Sequence, residues 1–256
     1  MILRAAALQL SAIAGEVESN LDRLEEAIEA LPSGVTIAVA PELYTTGYDL
    51  DLVARRGHDL AEPVTGPAVE RLVSMAKRAD LTLVVGFLES EGDQLYDSVA
   101  VSAAGADPVV YRKTHLYPAE TPVFASGESL VVFDDSSGTR MGLMICFEHA
   151  FPEIATTLAL EGGRVLVIPS AVPMGYEHVL ALRTRARAQD NQVFAVGCNM
   201  SAPFCGLSLI VDPRGEILVQ AGTGEESIIA DLALDAVSNE RAREPSLELR
   251  RPELYQ

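Results

Sequence analysis

Short apolar runs of strand length alternate with helical patterns along most of this chain. The runs Ile2–Leu10, Thr36–Ala40 and Val165–Ile168 are predominantly apolar, which is typical of strands that are buried on both faces. Between them, Val17–Leu31 places apolar residues at helical spacing, and Pro67–Ala79 begins with a proline, a residue favoured in the first turn of a helix. This alternation predicts a layered α/β domain in which helices cover sheets.

The pattern continues without an internal repeat or a linker, so we expect residues 1–234 to form a single domain. Further predicted strands are Leu81–Leu88, Leu95–Ala103, Val109–Tyr111, Leu130–Phe133, Met141–Ile145, Val193–Cys198, Leu207–Val211, Ile217–Gln220 and Ser227–Leu232, and further predicted helices are Pro152–Leu160 and His178–Asp190. From Asp235 the composition becomes charged, and we expect residues 235–256 to form a tail that either stays mobile or packs across a dimer interface.

Three predicted strands deliver chemically active side chains at their carboxyl ends. Glu42, Lys113 and Cys146 each follow closely on an apolar run. In open α/β sheets, ligands bind at these strand ends. A sharp turn from strand to helix at Cys146 would lift its thiol out of the sheet and, beside a helix N-terminus, make the thiol easier to ionise. We therefore expect the three side chains to meet in one site.

These positions resemble the motifs of the carbon-nitrogen hydrolase (nitrilase/amidase) superfamily, and the resemblance extends over almost the whole chain. The matching segments are Pro41-Glu42 with Gly47-Tyr48, Arg112-Lys113-Thr114-His115-Leu116, Glu120 ahead of Gly127, Gly142-Leu143-Met144-Ile145-Cys146 with Phe151-Pro152-Glu153, Arg185–Asn191 and Asp212-Pro213-Arg214-Gly215. The resemblance implies a four-layer α-β-β-α sandwich of two mixed sheets with outer helices. It also implies a homodimer or a higher homo-oligomer that works without a cofactor.

Cleavage of an amide requires a nucleophile, a base, an oxyanion stabiliser and an acid for the leaving amine. The resemblance makes Cys146 the nucleophile. Because a free thiol is only about 3% ionised at pH 7, Cys146 needs a base, and Glu42 is the candidate. Lys113 is the candidate oxyanion stabiliser, with the backbone N–H of Phe147 as a second donor. Glu120 matches the second glutamate of the family and would hold Lys113 or the substrate in place.

The motifs point to two substrate classes. Cys146-Phe147-Glu148-His149 is closer to the Cys-Trp-Glu-His motif of nitrile-cleaving members, whereas Phe151-Pro152-Glu153 and the short chain favour amidases. We expect an amidase that hydrolyses a small primary amide or a carbamoyl group through a cysteine thioester and releases ammonia. The alternatives are a nitrilase with the same residues and, less favoured, an acyltransferase or a non-catalytic scaffold. The expected substrate-binding residues are Tyr48, Tyr117, Phe147, Glu148, His149 and Val172.

Charge and cysteine usage limit the partners and the location. A net charge of −18 argues against nucleic acid and anionic membranes as partners. The four histidines and three cysteines show no metal-ligand spacing, and no glycine-rich phosphate loop occurs, so we expect no metal and no cofactor. No apolar run reaches the roughly 18 residues that span a membrane. Because Ile2–Leu10 fits a core strand better than a signal peptide and the cysteine count is odd, we expect a cytoplasmic protein.

Overall fold

Two six-stranded mixed β-sheets pack face to face in the computed structural model, which describes residues 1–103 and 106–254. The strands are β1 (Ile2–Gln9), β2 (Ile37–Val39), β3 (Thr82–Glu91), β4 (Gln94–Ser102), β5 (Val109–Arg112), β6 (Val132–Asp134), β7 (Arg140–Leu143), β8 (Val165–Ser170), β9 (Phe194–Asn199), β10 (Leu209–Val211), β11 (Ile217–Gln220) and β12 (Glu226–Ala233). The helices are α1 (Val17–Glu29), α2 (Leu50–Leu60), α3 (Pro67–Ala79), α4 (Pro152–Leu160), α5 (Glu177–Asn191) and α6 (Asp235–Arg243). Within the described residues, none of the helices combines the length and the apolar character needed to span a membrane.

Both sheets have parallel strands at the centre and antiparallel strands at the edges. The first sheet has the order β12-β1-β2-β3-β4-β5, with β1, β2 and β3 parallel. The second has the order β11-β10-β9-β8-β7-β6, with β7, β8 and β9 parallel. Because β4 is antiparallel to both β3 and β5, β5 runs in the same direction as β2. The carboxyl ends of β2 and β5 therefore lie at one edge of the first sheet, where Glu42 and Lys113 follow them.

Alternate side chains of each central strand fill two different cores. In β1, Leu3, Ala5 and Ala7 lie in the core between the sheets, whereas Ala6 and Leu8 lie in the core beneath α1 and α3. The strand β8 divides its side chains in the same way between the core of the two sheets and the core beneath α4 and α5. Both faces of the central strands are thus covered, which explains the continuous apolar runs in the sequence. The layers follow the order helix, sheet, sheet, helix, so the predicted four-layer sandwich is confirmed.

Two elements near the strand ends were not predicted. Asp49 accepts a hydrogen bond from Leu52 N at 2.8 Å and so caps the start of α2. Residues Cys146–Ala150 form a single 3-10 turn that precedes α4. Both segments depend on packing against the rest of the fold more than on their own sequence. A local pattern is therefore a weak guide to their conformation.

The predicted tail is attached to the domain over its first part. Val237 of α6 is buried in the core between the sheets, and Arg241 Nη2 lies 3.4 Å from the Gly163 carbonyl oxygen. The Gln192 side chain also donates a hydrogen bond to the Glu244 carbonyl. Leu247 also packs against the core beneath α4 and α5, so the expectation of a mobile or partner-bound tail applies to the residues after it. Its last two residues, 255 and 256, lie outside the described part of the chain.

Candidate active site

The turn after β2 places Glu42 at the edge of the first sheet. Gly86 of β3 donates a hydrogen bond to the Pro41 carbonyl at 3.1 Å and accepts one from Thr45 N at 3.2 Å. A Cβ atom on Gly86 would lie 2.3 Å from Leu43 N, so any other residue would push the turn away from the sheet. The turn directs the Glu42 side chain into the protein, where it is fully buried.

Lys113 follows β5 and is held on two sides through its backbone. Its N–H donates to the Asp97 carbonyl of β4 at 2.9 Å, and its own carbonyl accepts from Gly127 N at 2.8 Å. Gly127 packs so closely that a Cβ atom there would lie 2.3 Å from the Arg112 carbonyl oxygen. The chain between Lys113 and Gly127 is thereby closed into a loop, and this loop carries Glu120.

One ammonium group is surrounded by three carboxyl groups at the centre of the site. Lys113 Nζ lies 2.5 Å from Glu42 Oε1 and 2.7 Å from Glu120 Oε1. A third carboxyl group, that of Asp97, places its Oδ2 atom 3.1 Å from Lys113 Nζ. Oxygens of the three carboxyl groups lie within 4.8 Å of one another, a spacing that could hold a metal ion, but the Lys113 ammonium contacts all three. The structure thus brings the predicted Glu42, Lys113 and Glu120 together and adds Asp97.

Glu120 connects this cluster to the surrounding loop. Tyr48 donates its hydroxyl hydrogen bond to Glu120 Oε1 at 2.6 Å, and the backbone N–H of Tyr117 donates to Oε2 at 2.7 Å. With Lys113 as a further donor to Oε1, both carboxylate oxygens of Glu120 have partners. These bonds fix the position of the Glu120 carboxyl group.

Cys146 lies at the sharp turn between β7 and α4 that the sequence predicts. Its φ angle is +42°, in the left-handed region, and it begins the 3-10 turn. For a residue other than glycine this conformation costs about 1–3 kcal/mol and persists because the surrounding structure holds it. Ala171, just after β8, lines the same cavity as Cys146. The thiol therefore lies at the carboxyl ends of β7 and β8, two neighbouring parallel strands of the second sheet.

Glu148 lies behind the thiol rather than in the cavity. Its carboxylate is fully buried and accepts hydrogen bonds from Ile145 N at 2.7 Å, Thr114 N at 2.8 Å and Tyr111 OH at 2.7 Å. These bonds tie the turn that carries Cys146 to the chain that follows β5. The sequence-based expectation that Glu148 contacts substrate disagrees with this position, because its bonding capacity is used within the protein.

Burial dominates the electrostatics of the reactive groups. Burial raises the pKa of Glu42, and the Lys113 ammonium opposes this effect. Burial lowers the pKa of Lys113, but the carboxyl groups around it outweigh this and hold the pKa well above its ordinary value. For Cys146, burial and the Glu42 charge raise the pKa well above that of a free thiol. The thiol is thus neutral, contrary to the expectation that a helix N-terminus would ease its ionisation, and it needs a base.

A cavity of about 220 Å³ with mainly apolar and aromatic walls opens over Cys146. Its lining residues are Tyr48, Leu50, Tyr117, Ala119, Glu120, Cys146, Phe147, His149, Ala171, Val172, Pro173, Tyr176, Val179, Arg183 and Phe204. The aromatic rings pack edge to face in pairs. The ring centroids are 5.2 Å apart for Tyr117 and Phe147 and 5.8 Å apart for Tyr48 and Phe204. Of the expected substrate-binding residues, all except Glu148 line this cavity.

Two basic side chains lie in the cavity wall. His149 is buried, its Nδ1 atom has no hydrogen-bond partner, and burial together with the charges of Arg183 and Arg187 lowers its pKa to about 3. The imidazole is therefore neutral at physiological pH. Arg183 lies on the same face of α5 as Val179, and no acidic side chain lies within ion-pair distance of it among the described residues.

Asp97, Arg183 and Phe204 were not recognised from the sequence. Asp97 had a detectable signal, since it is an acid in the middle of the apolar run Leu95–Ala103, and fully buried acids are rare without a partner. Arg183 had no such signal, because α5 carries several arginines and their directions depend on how the helix packs. Phe204 lies in the loop after β9, whose path the local sequence does not determine.

Comparison with known proteins identifies the family. A sequence profile described as carbon-nitrogen hydrolase matches residues 4–242. An (R)-stereoselective amidase from a Pseudomonas species is 31% identical over 91% of this chain and 86% of its own length. A nitrilase from Pyrococcus abyssi is 32% identical over 94% of this chain and 93% of its own length. A double mutant of the amidase from Nesterenkonia sp. AN1, in complex with acrylamide, has a similar structure, with a TM-score of 0.88, 25% identity and coverage of 99% of this chain and 95% of that one. The chain therefore belongs to the carbon-nitrogen hydrolase family and is an enzyme that hydrolyses a carbon–nitrogen bond.

Proposed function

We propose that the protein is an amidase that hydrolyses a small primary amide or a carbamoyl compound and releases ammonia through a thioester on Cys146. The observation that carries the proposal is the Lys113 ammonium, which contacts Glu42 and Glu120 beside a cavity lined by both Glu120 and Cys146. A nucleophile, a base and a fixed positive charge are thus available in one buried site, as amide hydrolysis requires.

Glu42 moves protons in both half-reactions. It takes the Sγ proton as the sulfur forms a bond to the amide carbon, and the carbonyl electron pair moves onto oxygen. When the tetrahedral intermediate collapses, the carbon–nitrogen bond breaks and Glu42 returns the proton to nitrogen, which leaves as ammonia. Glu42 then takes a proton from water as the water oxygen attacks the thioester. The carbon–sulfur bond breaks, the proton returns to Sγ, and the carboxylic acid leaves.

Lys113 acts on the oxyanion mainly as a fixed charge. Its ammonium has three N–H donors, and Glu42, Asp97 and Glu120 already accept them. A direct hydrogen bond to the oxyanion is therefore assigned to the Phe147 backbone N–H. Because the charge of Lys113 is held in a site with little water, it lowers the energy of a developing negative charge more than it would at the surface.

The cavity favours an acyl group that is short and largely apolar. Its volume of about 220 Å³ equals roughly seven times the share of one molecule in liquid water. Arg183 is the exception in this apolar wall, and a guanidinium without an ion-pair partner among the described residues is suited to bind a carboxylate. A second candidate substrate is therefore an amide whose acyl chain ends in a carboxylate remote from the scissile bond.

Nitrile hydrolysis is the alternative that uses the same thiol, base and ammonium. The similarity to the Pyrococcus abyssi nitrilase supports it. The sequence feature that suggested it was Glu148 beside His149, but Glu148 is buried and bonded within the protein, so its side chain does not itself select a nitrile in the cavity. The amidase is therefore the preferred function.

The proposal extends to a cytoplasmic homodimer that needs no metal or cofactor. The free thiols of Cys146, Cys198 and Cys205 fit a reducing compartment. Light scattering of the purified protein tests the oligomeric state. Truncation after Glu248 tests whether the remaining charged residues contribute to the interface, because a dimer that uses them would dissociate, and it keeps Leu247, which packs against the core.

Ammonia release from aliphatic, aromatic and carbamoyl amides and from matching nitriles tests the activity. Cys146→Ala is the blank, and Cys198→Ser is the matched thiol control, because Cys198 Sγ donates to the Leu8 carbonyl at 3.4 Å and a serine can keep that bond. We expect amide turnover in the wild type and the control only. Turnover of nitriles alone would favour the nitrilase. If no substrate releases ammonia and no acyl adduct forms on Cys146, the catalytic assignment is overturned.

A further inference from the structure

Asp97 is a fully buried acid that the proposed reaction does not use. It lies within β4, its Oδ2 atom is 3.1 Å from Lys113 Nζ, and its carbonyl accepts the Lys113 backbone N–H at 2.9 Å. A buried carboxyl group in the middle of a strand is costly unless its partners compensate for the loss of water. Its position against the ammonium therefore calls for a physical explanation.

The cluster is out of charge balance if every carboxyl group in it is ionised. The charged and titratable groups that face one another there are Lys113, Glu42, Asp97, Glu120, Cys146 and Tyr48. Burial raises the pKa of the thiol and of the phenol, so both are neutral. Three carboxylates would then face one ammonium. Carboxyl groups this close and this deeply buried share protons instead of ionising together.

Two buried carboxyl oxygens without a hydrogen-bond partner indicate which groups share the additional proton. Glu42 Oε2 and Asp97 Oδ1 are buried and have no hydrogen-bond partner, although the two carboxyl groups place oxygen atoms within 4.8 Å of each other. Two ionised carboxylates cannot satisfy each other, because both are acceptors only. A proton on either one gives both groups a partner. Glu120 is not a candidate for this proton, because Lys113, Tyr48 and Tyr117 already donate to its oxygens.

The contacts with Lys113 decide which group holds the proton. The ammonium is 2.5 Å from Glu42 and 3.1 Å from Asp97, and the shorter contact favours negative charge on Glu42. We propose that Asp97 is a positioning residue that is protonated at neutral pH and donates a hydrogen bond to Glu42, which keeps Glu42 ionised as the base for Cys146. In agreement, burial raises the pKa of Asp97 well above its ordinary value. This inference rests on the proposed amidase function.

A carboxylate oxygen has two acceptor positions, so a bond from Asp97 leaves Glu42 able to receive the thiol proton. The Asp97 proton itself stays in place throughout the reaction. Its effect is on the pKa of Glu42, which a neutral donor lowers and an ionised neighbour would raise. The two protonation states of Asp97 therefore predict opposite consequences when its side chain is removed.

The first test is the pH dependence of kcat/KM for the best amide, measured for Asp97→Asn and Asp97→Ala. The asparagine amide keeps the shape and a neutral donor, so we expect kcat/KM within about threefold of the wild type. We also expect an unchanged acid limb, which is the fall of kcat/KM at low pH as Glu42 becomes protonated. The alanine variant loses the donor, and we expect its acid limb to move up by about one pH unit or more. An acid limb that moves to lower pH in both variants would mean that Asp97 is ionised and would overturn the proposal.

A second pair of measurements needs no substrate turnover, so it separates this proposal from the amidase assignment. The infrared spectrum of the wild type at neutral pH should contain the carbonyl band of a protonated carboxylic acid, and Asp97→Asn should lose it. Asp231→Asn, which removes a carboxylate that pairs with Arg4 at the surface, should keep the band. The rate at which iodoacetamide alkylates Cys146 should fall at low pH over the same pH range in the wild type and Asp97→Asn, and at a higher pH in Asp97→Ala. A spectrum that is unchanged in Asp97→Asn contradicts the proposal even if the variant folds poorly or the substrate is unknown.

Discussion

Glu148 Oε1 accepts a hydrogen bond from the backbone N–H of Thr114 at 2.8 Å, and this bond joins the turn that carries the thiol to the strand end that carries Lys113. Oε2 of the same carboxylate accepts from Ile145 N at 2.7 Å. One buried side chain outside the cavity therefore helps to set the distance between the proposed nucleophile and the ammonium. A displacement of about 1 Å between such groups can lower the rate of a reaction by roughly 100-fold.

Replacement of Glu148 should affect folding and rate together. Glu148→Ala leaves the N–H groups of Ile145 and Thr114 unpaired in the interior and removes the carboxylate partner of the Tyr111 hydroxyl, and we expect the free energy of unfolding to fall by about 3–5 kcal/mol. Glu148→Gln keeps the size of the side chain and should lose less. Urea unfolding measures the stability, and kcat is measured under conditions where the variant is folded. Wild-type stability combined with a raised KM would instead place Glu148 in contact with substrate.

Glu42 should control the reactivity of the thiol. Because burial and the Glu42 charge raise the pKa of Cys146, the sulfur becomes nucleophilic only when a base accepts its proton. We expect Glu42→Gln to alkylate with iodoacetamide roughly 100- to 10,000-fold more slowly than the wild type near neutral pH. Mass spectrometry of the modified peptide gives the rate at Cys146, and the fully buried Cys198 is the internal control. Equal rates in both proteins would exclude Glu42 as the base.

The sequence predicts the elements whose apolar pattern is long and whose faces are both buried. This is why β1, α3 and the strand that leads to Cys146 are where they were expected, and why Glu42 and Lys113 could be placed at strand ends. Asp97 could not be assigned to the site, because the direction of a side chain within a strand depends on register and on which sheet covers it. The direction of Glu148 depends on a turn with positive φ at Cys146, which no local pattern encodes.

Arg183 should distinguish charged from neutral substrates. For a pair of amides of equal length, one ending in a carboxylate and one in a methyl group, we expect Arg183→Leu to raise KM for the charged amide by about 10- to 100-fold, since it loses a charge-assisted hydrogen bond. KM for the neutral amide should change by less than about threefold. Steady-state ammonia release on both substrates measures the difference.

The matched control for Arg183 is Arg185→Gln, which removes a positive charge from the same helix. Arg185 is exposed and donates to the Gly215 carbonyl at 2.7 Å, away from the cavity. If both variants raise KM for the charged amide equally, the effect comes from the overall positive charge of α5 rather than from a contact with Arg183. If neither variant raises this KM, the carboxylate of the charged amide does not bind at Arg183.

His149 should make the fold sensitive to acid. Its pKa is lowered to about 3 in the folded protein, chiefly by burial, whereas in the unfolded chain it is about 6.5. Between these values the unfolded chain binds a proton that the folded protein does not, so stability falls as the pH is lowered through this range, with a limiting slope of about 1.4 kcal/mol per pH unit. His149→Gln removes this titration and should flatten the decline measured by urea unfolding between about pH 7 and pH 4, whereas His58→Gln, at an exposed position of α2, should not. A parallel decline in the wild type and His149→Gln would mean that the imidazole takes up its proton as readily in the folded protein as in the unfolded chain, and the lowered pKa assigned to it would be wrong.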